Sequence, residues 1–267
     1  MPKPSAIAIG AHPDDIEFYM AGTLLQLREL GWDIHYFNLS SGNCGSVKLS
    51  PSKTSKTRKQ EAQNAAKILG AKYHPSIADD LEIIFSVPLL RQVCAVIRKA
   101  RPSIVLTHSP QDYMEDHTET CRLTVTATFT HGMPNFKSKP PAKTYDHDVT
   151  VYHAMPHGLR NALRKRIIPG QFVNTAPVQR TKLKALEAHD SQQNWLDSSQ
   201  GLNSYLKTMD DFSRELGQMS ERFGHAEGWR RHLHYGFSAT DSDPLKEALG
   251  KDCFINQKYE KALEKGT

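Results

Sequence analysis

Short apolar runs separated by longer amphipathic stretches set the rhythm of the first half of the chain. Ile7-Ala8-Ile9-Gly10 has strand length and is apolar throughout, and 33–39 is a second such run. Ile104-Val105-Leu106-Thr107-His108, rich in β-branched residues and set off by Pro102, predicts a third buried strand. Helical periodicity fills the intervals, over 15–29 (where Leu24, Leu25, Leu27 and Leu30 supply apolar surface), about 56–69, 87–99 and about 118–127. Shorter strands are expected at 73–77, 149–154 and 171–173, and the Pro- and Lys-rich stretch 133–148 reads as a loop. Strands alternating with helices predict an α/β, Rossmann-like fold, a mainly parallel sheet flanked by helices with right-handed crossovers. Consecutive helices over 181–199 and 202–221 form its C-terminal helical extension. The chain turns polar after Gly236, so the expected organisation is one main domain, 1–240, followed by a peripheral helix or tail, 241–267.

Two of the strand ends carry chemistry. Ala11-His12-Pro13-Asp14-Asp15, with Glu17 behind it, follows the first strand, and Asp112, Glu115, Asp116 and His117 follow the Ile104 strand. In an open α/β sheet ligands gather at the carboxyl ends of strands, and a parallel sheet sets these two loops side by side. Histidine with aspartate suits a divalent metal of the zinc type, and a spare carboxylate beside it suits a general base. Taken alone, His12 and Asp15 could equally cap the next helix, Asp14 could be a surface carboxylate, and His117 a helix-start residue. The pairing of two such loops favours a site.

These segments resemble the PIG-L/LmbE-like family of zinc-dependent N-acetylglucosaminide deacetylases. The resemblance rests on Ala11 to Asp15 and on Asp116-His117. It extends to Arg58-Lys59-Gln60-Glu61-Ala62, Leu69-Gly70-Ala71, the stretch 182–192 and Ala226-Glu227-Gly228-Trp229, covering 5–237. It implies His12, Asp15 and His117 as ligands of Zn2+, an open position for water, and Asp14 as general base. The implied reaction is hydrolysis of the acetamide of an N-acetylglucosamine-type sugar or glycoconjugate. Asp116 would hydrogen-bond a ligand imidazole or cap its helix, and Arg58 would meet substrate hydroxyl or anionic groups or form a surface ion pair. The loop at Asn38, Ser40, Ser41 and Asn43 could contact sugar hydroxyls or simply turn the chain. One departure matters: many members carry histidine three residues before the last ligand, where this chain has Met114. A thioether donates no hydrogen bond, and losing one oxyanion donor costs ~10²–10³ in rate. His157 and Tyr113 are the candidates to replace it.

Composition narrows the alternatives. The chain has 267 residues, 38% of them hydrophobic, and a formal net charge of +5. No apolar run approaches the ~18 residues of a membrane span, and no apolar leader precedes the first strand. Four cysteines without CxxC spacing favour neither a disulfide framework nor a thiolate zinc site, so a cytoplasmic protein is expected. Arg160, Arg164, Lys165, Arg166 and Arg180 form the main basic cluster, read first as a solvated face and second as a contact to an anionic group or another subunit. No nucleic-acid-binding motif accompanies them. The first strand–helix turn lacks GxGxxG and sets acidic residues where phosphates would lie, which speaks against a nucleotide-binding protein. Two rivals remain: an amidase of the same fold acting on another acyl-amino sugar or thiol conjugate, and a non-catalytic carbohydrate-binding member. The latter has no use for Asp14. Members of the family it resembles often form oligomers, so a homo-oligomer is possible, although no interface is legible in the sequence.

Overall fold

Alternate residues of β1 (Ser5–Gly10) enter two different cores. Ala6 and Ala8 pack into one and Ile7 and Ile9 into the other, all fully buried. A strand covered on both faces has no polar side, which is why it reads as an unbroken apolar run. The computed structural model describes residues 3–192 and 205–265. On the Ala6 face lie α1 (Asp15–Tyr19), α2 (Ala21–Glu29), α3 (Pro51–Leu69), α6 (Gln179–Glu187) and α7 (Tyr205–Ser220). On the Ile7 face lie α4 (Val87–Ala100) and α5 (Glu115–Phe129). The result is a three-layer α/β arrangement.

The remaining strands are β2 (Asp33–Asn38), β3 (Lys72–His74), β4 (Ile104–Thr107), β5 (Thr150–Ala154), β6 (Gln171–Asn174), β7 (Ala226–Arg231) and β8 (Cys253–Ile255), in the order β3-β2-β1-β4-β5-β7-β6-β8. The first five run parallel, and β7, β6 and β8 add on antiparallel. From β1 the chain moves outward through β2 and β3, then returns to place β4 on the other side of β1. That reversal opens a crevice at the carboxyl ends of β1 and β4, where the two acidic loops emerge. No helix among the described residues is long and apolar enough to cross a membrane.

Three elements differ from expectation. The single helix expected over 15–29 is broken at Met20 into α1 and α2. The break exposes a new helix N-terminus, and the buried Glu227 carboxylate fills it, accepting Gly22 N–H at 2.8 Å and Thr23 N–H at 2.7 Å. Residues 226–231, read in the sequence only as a motif, form β7 inside the sheet, between β5 and β6. The segment after 240 holds α8 (Pro244–Leu249), β8 and α9 (Gln257–Lys265). α9 is peripheral and buries no residue, but β8 forms the sheet's last strand, and Leu245, Leu249 and Cys253 join the main core. Of the helices expected over 181–199 and 202–221, the stretch 193–204 lies outside the described residues.

His35 on β2 and His74 on β3 form a buried pair, with Nδ1 and Nε2 2.8 Å apart and their rings stacked. Burial, the neighbouring imidazole and nearby lysines lower His35 to about 4, and burial with Lys99 and Lys72 lowers His74 to about 4. Both values lie below the unfolded 6.5, so the unfolded chain binds more protons and stability falls as pH drops through the window between. Thermal unfolding near neutral pH and at about pH 5 should therefore show a larger loss of Tm for the native chain than for a His35→Gln/His74→Gln variant. Equal losses would show that the pair does not titrate in this way.

Candidate metal centre and its cavity

Asp15 opens α1 and turns its carboxylate back onto the loop that precedes it. Oδ2 accepts His12 N–H at 2.7 Å and shares Ala11 N–H (3.0 Å) with His108 Nε2 (2.9 Å). The second loop meets it from β4. His108 follows that strand directly, and its Nε2 lies 3.1 Å from Asp15 Oδ2. His117, in the first turn of α5, brings Nε2 to 3.4 Å from Asp15 Oδ1 and Nδ1 to 3.1 Å from Asp112 Oδ2. His12 Nε2 donates to Asp116 Oδ2 at 3.0 Å, and the same oxygen accepts Leu81 N–H at 2.9 Å.

One ligand atom from each of His12, Asp15 and His117 lies within 4.8 Å of the others, and His108, Asp112 and His117 satisfy the same criterion. The two groups are not equivalent. The His108 and His117 rings are stacked, 3.9 Å apart and 9° from parallel, so one ion cannot lie in both ring planes. His12 and His117 are inclined at 51°, which allows their lone pairs to converge. His117 is 2% exposed, yet neither of its ring nitrogens makes an aligned hydrogen bond. A buried imidazole left so is costly without a further partner. Two imidazoles and a carboxylate form a donor set that fits a zinc-type ion with a position to spare. The cluster is thus compatible with a divalent metal.

The electrostatics of the cluster point the same way. Burial opposes charge on His12, but Asp116 and Asp15 outweigh it and raise the ring to about 9. Burial likewise opposes charge on His117, and Asp15 with Asp112 raises it to about 10. Burial would raise Asp15, but His117 and His108 hold it well below the usual carboxylate range. His108 is lowered by burial and by His117, in keeping with its Nε2 accepting the Ala11 N–H. Protons here supply the positive charge that a cation would bring.

Asp14 stands beside this cluster in an unusual backbone conformation, φ 115° and ψ −23°, at a cost of about 1–3 kcal/mol for a non-glycine residue. Its Oδ2 accepts the Tyr205 hydroxyl at 2.6 Å and lies 3.2 Å from Arg58 Nη2. Burial raises the Asp14 pKa and Asp15 adds to the rise, while Arg58 opposes it. Arg58, 3% exposed, also donates to the Pro13 carbonyl. The loop after β2 covers its guanidinium: Gly42 has φ 74°, and a Cβ there would lie 2.6 Å from Arg58 Cδ. Glu17 is fully buried behind this arrangement, accepting the Tyr36 hydroxyl and paired with His189 Nε2 at 3.3 Å.

Above the cluster lies a cavity of about 360 Å³ walled by Phe18, Tyr19, Tyr113, His157 and Tyr205, with Met114 also on its lining. The sequence-derived candidates are therefore brought together: His12, Asp14, Asp15, His117, Arg58, His157 and Tyr113 all border one cavity, and Asp116 sits behind His12. Burial lowers His157 and raises Tyr113 to about 12. Sequence reasoning passed over His108, taken only as the end of a strand, and gave no role to Asp112, the partner of His117. Tyr205 had no local signal at all.

Relatives of known identity share this frame. The family model described as PIG-L: GlcNAc-PI de-N-acetylase matches residues 7–128. Diacetylchitobiose deacetylase of Thermococcus kodakarensis is 30% identical over 193 residues, covering 70% of this chain and 69% of that one. The chain belongs to the PIG-L/LmbE-like family. Solved structures similar to it include two chemistries. The 4-carboxy-2-hydroxymuconate hydratase of Pseudomonas putida superposes with a TM-score of 0.73 at 21% identity, over 86% of this chain and 96% of that one. N,N'-diacetylchitobiose deacetylase of Pyrococcus horikoshii gives 0.69 at 21%, over 90% and 88%. At such identities the likeness is one of fold.

Zinc uptake by the metal-free protein at neutral pH should displace about two protons, from His12 and His117, because ligating imidazoles must be neutral. Calorimetric titration in buffers of different ionisation enthalpy measures this, and a buffer-independent heat would refute it. Asp112→Asn should weaken zinc binding about 10–100-fold in a chelator competition. Unaltered affinity would show that Asp112 does not support His117.

Proposed function

We propose that this protein is a metal-dependent deacetylase that hydrolyses the acetamide of an N-acetylglucosamine-type sugar or glycoconjugate, with His12, Asp15 and His117 as the metal ligands. The observation that carries this reading is Asp14, a half-buried carboxylate beside the ligand set but outside it, facing an aromatic-walled cavity. A bound Zn2+ would supply Lewis acidity that makes water easier to deprotonate and the amide carbonyl easier to attack. Asp14 takes the proton of the attacking water as oxygen bonds to the carbonyl carbon. It then returns that proton to the nitrogen as the C–N bond breaks, releasing acetate and a free amine. Asp112 and Asp116 hold the imidazoles of His117 and His12 from behind. His157 and Tyr113 border the same cavity and are the groups placed to donate to the carbonyl oxygen, a duty Met114 cannot perform.

Hydration of an unsaturated polycarboxylate is the second reading, favoured by the close fold match to the hydratase. The charge of the cavity argues against it. Among the described residues that line the cavity, Arg58 is the only Lys or Arg, and Asp14 and the Pro13 carbonyl already engage its guanidinium. The stretch 193–204 contains neither Lys nor Arg. A substrate bearing several carboxylates would find no unpaired cation apart from the metal. A neutral sugar ring, by contrast, suits walls of Phe18, Tyr19 and Tyr113.

Zinc-reconstituted protein should release acetate from N-acetylglucosamine, N,N'-diacetylchitobiose or their glycosides, and Asp14→Ala should lower kcat by at least ~10³ with zinc still bound. Hydration of an unsaturated polycarboxylate with no acetate release would instead establish the second reading. Met114→His should raise kcat about tenfold or more if no other group donates to the oxyanion. If His157 or Tyr113 already does so, Met114→His has little effect and His157→Ala or Tyr113→Phe lowers kcat by ~10²–10³.

A further inference from the structure

Asp14 is constrained from two sides by residues far from it in the chain. Tyr205, at the start of α7, donates its hydroxyl to Oδ2 at 2.6 Å, and Arg58, in α3, sets Nη2 3.2 Å from the same oxygen. Arg58 also holds the carbonyl of Pro13, the residue just before Asp14. Both donors converge on Oδ2, and among the described residues none is hydrogen-bonded to Oδ1.

The donors are themselves fixed. Tyr205 is 4% exposed and packs near Phe18, with ring centroids 6.1 Å apart. Arg58 lies under Gly42 and Gly45, and a Cβ added at either would come within 3 Å of its side chain. Two rigid arms on one oxygen, against a backbone at φ 115°, leave the carboxylate one orientation. Strained conformations of this kind persist only where their surroundings over-determine them.

We propose that Tyr205 and Arg58 form a clamp on Oδ2 that turns Oδ1 of Asp14 toward the reacting centre. Both are positioning residues for the proton transfer and act through Asp14 rather than on substrate. The proposal rests on the deacetylase reading for its chemistry, but the clamp itself is a statement about this chain's own geometry. It also explains why a tyrosine rather than a phenylalanine stands at the edge of an otherwise aromatic wall: its ring packs as Phe would, and its hydroxyl is spent on the base.

The test has two arms. In steady-state kinetics of the zinc-loaded protein on N,N'-diacetylchitobiose, Tyr205→Phe should lower kcat about 10–100-fold, since small misplacements of a reacting group cost that much. KM, zinc content and Tm should stay as in the native chain. A raised KM with kcat intact would make Tyr205 a substrate contact and overturn the clamp, as would no change in either constant. The second arm is crystallographic and needs no turnover. In Tyr205→Phe, and in Tyr205→Phe/Arg58→Gln where it folds, the Asp14 carboxylate should rotate or its φ relax to negative values. A carboxylate in its native orientation in Tyr205→Phe overturns the clamp. Should the native zinc protein release no acetate from any N-acetyl sugar, the deacetylase reading fails while the crystallographic arm still decides the clamp.

Discussion

The carboxylate of Asp15 is the joint on which this site depends. It accepts two backbone N–H groups of its own loop and stands within ion-pair distance of His108, just after β4, and His117, in the first turn of α5. A buried carboxylate so engaged is satisfied. Without its partners it would carry a desolvation cost far larger than any one of these contacts returns. The joint works because β1 and β4 are held in parallel register, Ile9 opposite Thr107, with the Thr107 hydroxyl donating to the Ile9 carbonyl at 3.0 Å. Both strands therefore end at the same height, and both loops start within reach of one carboxylate. Sequence distance is large and spatial distance small because the chain reverses direction across the sheet at this point.

A second buried contact brings the other half of the chain to the cavity. Lys182 and Glu227, both almost completely buried, lie 2.8 Å apart, and Glu227 spends its remaining capacity on the N-terminus of α2. Gly22 is required there, since a Cβ would collide with Thr175 and Glu227. Burying an ion pair is weak as a source of stability, but this one joins α2, α6 and β7. Trp229 reinforces the joint by donating its indole N–H to the Thr23 hydroxyl at 3.0 Å. The same packing sets α7 and the loop after β5 opposite the His/Asp cluster, so Tyr205 and His157 can wall a cavity whose floor comes from the first half of the chain.

What could be read from the sequence follows from how local each signal is. The strands at Ile7 and Ile104 were legible because strands buried on both faces need continuous apolar runs. His12, Asp14 and Asp15 were legible because one loop carries all three. The break at Met20 was not, because one glycine, Gly22, is a weak stop inside a continuing apolar pattern, and the group that fills the new N-terminus is Glu227, some two hundred residues later. β7 escaped notice because its sequence, AEGWRR, carries glycine and two arginines where a buried strand would be apolar, and its outer residues are only half-buried. β8 is three residues long, too short for any period to show. His108, Asp112 and Tyr205 act through partners rather than through motifs. Hydrophobic period records which face a residue takes, not what it meets there.

The fold alone does not choose between adding water to a double bond and using it to split an amide, since both hydratase and deacetylase relatives share it. Both chemistries use water, so a cluster compatible with a divalent metal cannot discriminate either. The charge that remains once the site's own groups are paired can. Asp14 is half-buried, and the Arg58 guanidinium beside it opposes the rise in its pKa that desolvation brings. An arginine committed in this way, with its guanidinium covered by Gly42 and Gly45, is not free to receive a substrate carboxylate. On the proposed reading, supporting the base would thus remove the cation that a polyanionic substrate needs and leave ring stacking and hydroxyl contacts as the means of recognition. The pairing of Asp14 with Arg58 would therefore, on the same reading, serve two ends: holding the base and favouring a neutral, ring-shaped substrate.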